Sequence, residues 1–475
     1  MTAFDPKRTY AGNSLISKAM HDLRNHRLGR LTSSRPCTVA HATPACTDWV
    51  SPGGVMANSE DGWRFVGALA LTLGLLTGAQ SAQAAQPDAK LLAAVQACDQ
   101  NSRALLEKLV SIDSGSGDAE GLNAVGTVDA AELSALGAQV KAIPPPPGTS
   151  PGNNLLAALT GTGKGRILLI SHMDTVFSRG DVARLKPHWQ GDSYYGPGAG
   201  DDKAGGVMAI CALKALKSVG FTDFGRIEVL FNASEEIGSP GSRDLIRARA
   251  KEADLVINLE RGVPKDKVLV GRKGAATLTL EFTGIAAHSG LAPEKGRNAA
   301  LEAARVALAL GSLGDPAKQT TVIVDILSGG DKTNVVPAHA VIKADVRAFT
   351  MPEFDRVARG AAELAAHPGI DGVTIKSTLL LNFPPWPHIQ STDAMVARAS
   401  RIYSELGRNL TDIEVGSSSD INYAAETGTP GLDAFGMEAD GAHTDSDHAD
   451  FDTLTPRAYL LARMLMDVGH DPKGK

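Results

Sequence analysis

Three stretches between Arg166 and Glu260 are apolar on both faces: RILLIS (166–171), RIEVLFN (226–232) and DLVINLE (254–260). Strands of this kind are buried between two layers. Between them lie KAGGVMAICALKALKSVG (203–220), closed by Gly220, and GSRDLIRARAKEA (241–253), both with a helical period. The alternation predicts an α/β layer on a mixed, mostly parallel sheet. Upstream, Lys90 to Leu136 reads as helix with a polar break at DSGSGDAEG (113–121), and KAIPPPPGTSPGNN (141–154) reads as a surface loop.

Near Gly271 the rhythm changes. AATLTLEFTG (275–284) and HAVIKADVRAF (339–349) alternate with period two around the helical GRNAALEAARVALALGSL (296–313). This predicts an α+β insert on an antiparallel sheet with one face exposed, ending near LNFPPWPH (381–388). One domain, residues 85–270 and 385–475, is thus interrupted by another, residues 271–384.

The first 84 residues follow neither pattern. Residues 1–55 mix Arg, Ser, Thr and Pro without periodicity, as an over-called start would. From Met56 the chain has Arg64, an apolar run from Phe65 to Leu76 and the small-residue tail Ala82-Gln83-Ala84. That is the outline of a signal peptide over 56–84, cut after Ala84. The run is shorter than the roughly 20 residues of a membrane span, although Glu60 and Asp61 stand where positive charge is expected. The expected product starts near Ala85 in a periplasmic or secreted setting.

Composition narrows the function classes. Hydrophobic residues at 43% and charged residues at 21% describe a soluble globular chain, and 475 residues suffice for two domains. A formal net charge of -6 argues against nucleic acid as a partner. With no CxxC pair, a thiolate metal site is excluded; Cys98 and Cys211, in Ala-rich helical context, read as buried free thiols.

Candidate chemistry gathers where the strands end. His172 and Asp174 follow RILLIS, Asp201 and Asp202 follow a Gly-rich loop, Glu235 and Glu236 follow RIEVLFN, and Glu260 closes DLVINLE. Late in the chain GAHTDSDHAD supplies His443 and His448. Open α/β sheets bind ligands at the carboxyl ends of their strands. Imidazole and carboxylate without thiolate suit catalytic zinc. So many donors exceed one tetrahedral ion and suit two, with an Asp bridging.

The set SHMDTVF, GPGAGDDKAGG, FNASEEIGSPGSRDLI, NLE, AAHSG and NVVPAHAVIKADVRAF resembles the di-zinc aminoacylase/carboxypeptidase metallopeptidases, the carboxypeptidase G type in particular. The resemblance implies a zinc-peptidase catalytic domain, a ferredoxin-like dimerisation/lid insert and two Zn2+ per subunit. It makes His172 and Glu260 ligands of one zinc, Asp201 the bridge ahead of a cis peptide, and Glu236 a ligand of the second zinc. His443, after Gly441-Ala442, is favoured as the last ligand, with His448 the alternative. Glu235 becomes the general base and Asp174 the partner that orients His172; Asp202 remains a cap of the following helix. In the insert, His288 matches a residue that reaches the partner subunit's site, which implies a homodimer through 271–384. Asn334 and Arg347 match residues that hold a substrate carboxylate; for Arg347 the plain alternative is pairing with Asp345. Lys267 resembles a basic residue able to meet a glutamate side chain.

The implied activity is removal of a C-terminal amino acid, glutamate foremost, from folate-like or N-acyl substrates. An N-acyl-amino-acid hydrolase preferring hydrophobic groups is the alternative. A two-metal phosphoesterase would need Lys or Arg for phosphate at these strand ends, and a non-catalytic relative would be expected to lack ligands that are all in place here.

Overall fold

The computed structural model describes residues 86–473. The leader predicted over 1–84, its cleavage site, Cys37 and Cys46 lie outside the described residues.

The central sheet has six strands, ordered Gln139–Ile143, Asn154–Thr160, Arg226–Asn232, Arg166–His172, Leu255–Asn258 and Gly431–Leu432. Asn154–Thr160 runs against the others, and the last four are parallel. Alternation along one strand serves two cores. Ile167 and Leu169 pack toward the helices Ala204–Ser218, Leu454–His470 and Ala89–Gln96, while Leu168 and Ile170 pack toward Ile246, Trp386 and Ile421 on the other face. The sheet is therefore buried on both sides, as its apolar strands require.

Register places the functional ends. His172 pairs with Asn232, and Ile170 with Asn258. The residues just beyond, Asp174, Glu235, Glu236 and Glu260, therefore emerge at one edge. The first two strands of the sheet are hidden from sequence reading. Gln139–Ile143 is short and largely exposed, and Asn154 falls at the end of the Pro/Gly-rich stretch between the two.

The insert is a four-stranded antiparallel sheet, ordered Thr321–Gly329, His339–Ala348, Gly274–Thr283 and Thr374–Phe383, with helices Ala299–Leu310 and Met351–Ala366 in its core. Chain order strand–helix–strand–strand–helix–strand makes it ferredoxin-like. Where the chain enters and leaves it, Arg272 and Trp386 exchange backbone hydrogen bonds of 2.8 and 3.0 Å, and Asn422 Nδ2 donates to the carbonyls of Lys273 and Pro384.

Cys98 and Cys211 are joined by a disulfide with Cα atoms 5.8 Å apart, which corrects the free-thiol expectation. The Ala-rich surroundings that suggested packed thiols are what allow the helix Ala204–Ser218 to approach the end of Ala89–Gln96 so closely. The bond closes a separation of 113 residues. Cys98→Ala/Cys211→Ala is expected to lower the unfolding free energy by roughly 4–5 kcal/mol on chain entropy, read in denaturant titrations.

A second stability prediction concerns Asp129, fully buried on the helix Ala119–Ala135 with Oδ1 unpartnered. Burial pushes its carboxyl up to about 7; attraction to Lys203 opposes the rise and Glu132 adds to it. An acid raised above its unfolded value of about 3.9 contributes stability that is complete below pH ~4 and lost as pH climbs through about 7. Asp129→Asn should flatten that slope and raise stability at pH 8 by up to roughly 4 kcal/mol. Matched denaturation curves at pH 5 and pH 8 check it; an unchanged slope would place the titration elsewhere.

Candidate active site

His172 is the last residue of its strand and is buried. Its Nδ1 donates to the carbonyl of Asp174 at 2.9 Å, so Nε2 is the nitrogen turned inward. Nε2 stands 3.1 Å from Asp201 Oδ1 and 3.8 Å from Glu260 Oε1. On the other side of Asp201, His443 Nε2 stands 3.4 Å from Asp201 Oδ2 and 3.1 Å from Glu236 Oε2. The structure thus assembles two triads, His172–Asp201–Glu260 and Asp201–Glu236–His443, each with its donor atoms within 4.8 Å of one another. They share Asp201, one oxygen toward each. This donor set fits two zinc ions bridged by a carboxylate.

Two of the donor-bearing loops are held through their backbone N–H groups by another carboxylate. Glu235 and Glu236 sit on a short turn after the strand Arg226–Asn232. Their N–H groups donate to Asp174 Oδ1 at 2.9 Å and Oδ2 at 3.1 Å, and Ser116 Oγ donates to Oδ2 at 2.7 Å. Asp174 Oδ1 also lies 3.6 Å from His172 Nδ1. Asp174 therefore orients the glutamate turn as much as the imidazole. Asp447 accepts from the N–H groups of Gly198 and Gly200 at 2.8 and 3.1 Å, which joins the Gly-rich loop of Asp201 to the loop of His443. Within that loop His443 adopts a left-handed φ of 63° just after Gly441 at 72°. The peptide between Asp201 and Asp202 is cis.

Carboxylates crowd this edge. Among the described residues, the ion pairs of Asp201, Glu236 and Glu260 are with the two imidazoles alone. Burial pushes Glu235 well above the carboxylate range, with repulsion from Glu260 next. Burial and then Asp201 push Glu260 up to about 8. Asp201 goes the other way: burial alone would raise it, but hydrogen bonds from His172 and His443 hold it low. Hydrogen bonds to Asp201 and Glu236 lift His443 to about 10. Buried carboxylates held against one another call for a cation.

Not every expected residue falls here. Asp202 is not a helix cap: the helix Ala204–Ser218 begins without a side-chain cap. Its carboxylate instead accepts from Ser171 Oγ at 2.7 Å and His172 N–H at 3.3 Å, steadying the strand end from behind. His448 turns away, stacked on Tyr195 at 4.5 Å with Nδ1 toward the Ser446 carbonyl. Lys267 begins the strand Lys267–Arg272, whose other end reaches the site, and is not among the residues lining the pocket there. Arg347 pairs with Asp345 at 2.8 Å, the plain alternative, and also reaches Ser418 Oγ at 3.3 Å. His288 and Asn334 lie side by side on an exposed ribbon of the insert, where Ser289 N–H donates to the Asn334 carbonyl.

A pocket of about 210 Å³ opens beside the triads. Sequence reading missed the residues that shape it: Arg261, Arg272, Ser417 and Ser418. VGRKG and GSSSD carried a signal, since charge and hydroxyls there flank buried strands, but nothing local says which way they face. An open groove lined by Gly115, Val176, Phe177 and Ile237 lies on the other side of Glu236.

The model of the peptidase family M20/M25/M40 matches residues 168–467. This chain belongs to that family. Membership makes it a metallopeptidase-class hydrolase. Among M20 relatives, carboxypeptidase G2 of Pseudomonas sp. (strain RS-16) is 37% identical over 371 residues, covering 77% of this chain and 88% of that protein. One chain of the p-aminobenzoyl-glutamate hydrolase of Escherichia coli (strain K12) is 35% identical over 130 residues, 26% of this chain and 30% of that one. A tripeptidase from Staphylococcus aureus has the same fold, with a TM-score of 0.67 at 23% identity over 78% of this chain and 99% of that one.

The triple acceptor role of Asp174 gives a test. An amide keeps one acceptor oxygen, so Asp174→Asn strips at least one N–H of the glutamate turn of its partner. Metal affinity should fall about 10–100-fold, measured by competition with a chromophoric chelator.

Proposed function

We propose that this protein is a zinc-dependent carboxypeptidase that releases C-terminal glutamate from folate-like or N-acyl substrates. The observation that carries it is the pair of triads sharing Asp201, with Glu235 buried beside them in a pocket whose wall carries two arginines. Two relatives support the substrate class by their names, carboxypeptidase G2 and p-aminobenzoyl-glutamate hydrolase.

His172 and Glu260 would hold one zinc, Glu236 and His443 the other, and Asp201 both. Bound there, the ions supply Lewis acidity and lower the pKa of the attacking water. The chain's own residues do the rest. Glu235, raised by its buried setting, takes the proton of that water and passes it to the leaving nitrogen. The Asp174 carboxylate fixes the turn that aims Glu235. Arg347, whose Nη1 reaches Ser418 and whose Nε is held by Asp345, takes the substrate's α-carboxylate with its remaining N–H groups. The acyl portion then lies along the open groove of Val176, Phe177 and Ile237.

Exposed His288 and Asn334 suit a site completed by a second subunit, His288 on the oxyanion and Asn334 on the carboxylate. The homodimer reading is supported by the surface of the insert. Leu301 and Leu308 on the helix Ala299–Leu310 are 61% and 87% exposed, next to Ile323, Ile326 and Leu327 on the edge strand Thr321–Gly329. An apolar stripe along an open strand edge is a surface for self-pairing. The disulfide supports an exported protein, since such bonds persist in oxidising compartments. Apolar Val263, Leu269 and Val415 in the pocket favour the second reading, an N-acyl-amino-acid hydrolase for hydrophobic groups.

Glu235→Gln is expected to lower glutamate release from an N-acyl-glutamate and from folate about 10²–10⁴-fold while zinc content stays unchanged. Stripping the wild type with chelator should abolish release, and zinc should restore it. Retained activity in the variant would remove Glu235 from the proton-transfer role. Zinc-dependent release of leucine without glutamate would shift the assignment to the second reading.

A further inference from the structure

The pocket beside the triads has two guanidinium groups in its wall, and they are not equivalent. Arg272 is buried and committed: its Nε donates to Asp433, and Nη1 donates to Ser417 Oγ at 2.8 Å. Arg261, the residue after Glu260, is half-buried and has neither an ion pair nor a hydrogen bond among the described residues. Its charge is felt by Asp201 only across space. The remaining wall divides in two, with Val263, Leu269 and Val415 apolar and Ser417 and Ser418 carrying hydroxyls.

We propose that Arg261 is the specificity-determining residue for the leaving amino acid, accepting the side-chain carboxylate of glutamate. The inference rests on the carboxypeptidase reading above and names the group that would confer its glutamate preference. A short aliphatic stem ending in a carboxylate matches the wall: methylenes against Val263, Leu269 and Val415, and the charge on an unpaired guanidinium, with the Ser417 hydroxyl in the same lining. With the donor carboxylates committed to the two zinc ions of that reading, a side-chain carboxylate of the substrate still needs a cation of its own in the pocket. Arg261 is the one uncommitted cation among its lining residues. Arg347, whose Nε is held by Asp345 and whose Nη1 reaches Ser418, is left for the α-carboxylate through its remaining N–H groups. Lys267, absent from the lining, has no part in this contact.

The competing role for Arg261 is electrostatic only, offsetting Asp201 and Glu260. The two roles differ in what a substitution does across substrates. Zinc-loaded wild type, Arg261→Gln and Arg261→Lys would be compared on N-benzoyl-glutamate and N-benzoyl-leucine, with zinc content measured for each. In Arg261→Gln, kcat/KM for the glutamate substrate should fall about 100-fold more than for the leucine substrate, the loss expected when a charged hydrogen bond is removed. Arg261→Lys should recover part of that ratio, because a point charge replaces the planar fork. Equal losses on both substrates, or reduced zinc content accounting for the loss, would overturn the proposal in favour of charge balance. An unchanged ratio would overturn it as well. A wild type that releases leucine but no glutamate would instead overturn the glutamate reading on which the proposal rests.

Discussion

Four carboxylates of like charge meet at one edge of one sheet, and the arrangement of the rest of the molecule answers to that. Asp201, Glu236 and Glu260 sit in two triads with Glu235 in the pocket beside them, and the ion pairs of those three among the described residues are with His172 and His443. Left to themselves they would separate or take up protons, as the upward shifts of Glu235 and Glu260 show. Holding them together needs a rigid frame and, chemically, a cation.

The frame is the parallel register of the central strands. Because His172 lies level with Asn232, and Ile170 level with Asn258, three parallel strands deliver their last residues to the same place. The apolar cores on either face make a slip of one residue prohibitive, since it would turn Leu168 and Ile170 into the wrong layer. A second ring of carboxylates then pins the loops. Asp174 takes the N–H groups of the glutamate turn, Asp447 those of the Gly-rich loop, and Asp202 that of the strand end. Backbone donors serve well here, because they hold anions in place without bringing a cation that would compete for the ligands.

The triads and the pocket beside them are built from different kinds of segment. The donor residues sit at the ends of buried strands or on loops pinned to them. The pocket beside them is built from later pieces, the strand Lys267–Arg272 and the serines before the helix Ile421–Ala425, with Arg347 of the insert reaching Ser418. These meet where the chain crosses into the insert, beside the paired Arg272 and Trp386. Such a division lets the pocket differ between relatives while the donor geometry stays put.

The sequence by itself determined the layer, the insert and which acidic and imidazole side chains meet at the edge of the sheet. Runs apolar on both faces can only be buried strands, and acidic and imidazole residues just past them must share the edge those strands reach. His172, Asp201, Glu236, Glu260 and His443 were legible for that reason, together with a resemblance carried by whole motifs. Tertiary structure alone decided the rest. Whether Cys98 meets Cys211 depends on how closely two helices approach. Whether Asp202 caps a helix or braces a strand depends on the turn between Ala199 and Lys203. Arg261 and Lys267 look alike as basic residues near Glu260, yet one lines the pocket and the other starts a strand at its far end. Direction and distance across the chain are not local properties, so a pattern of residue types cannot specify them.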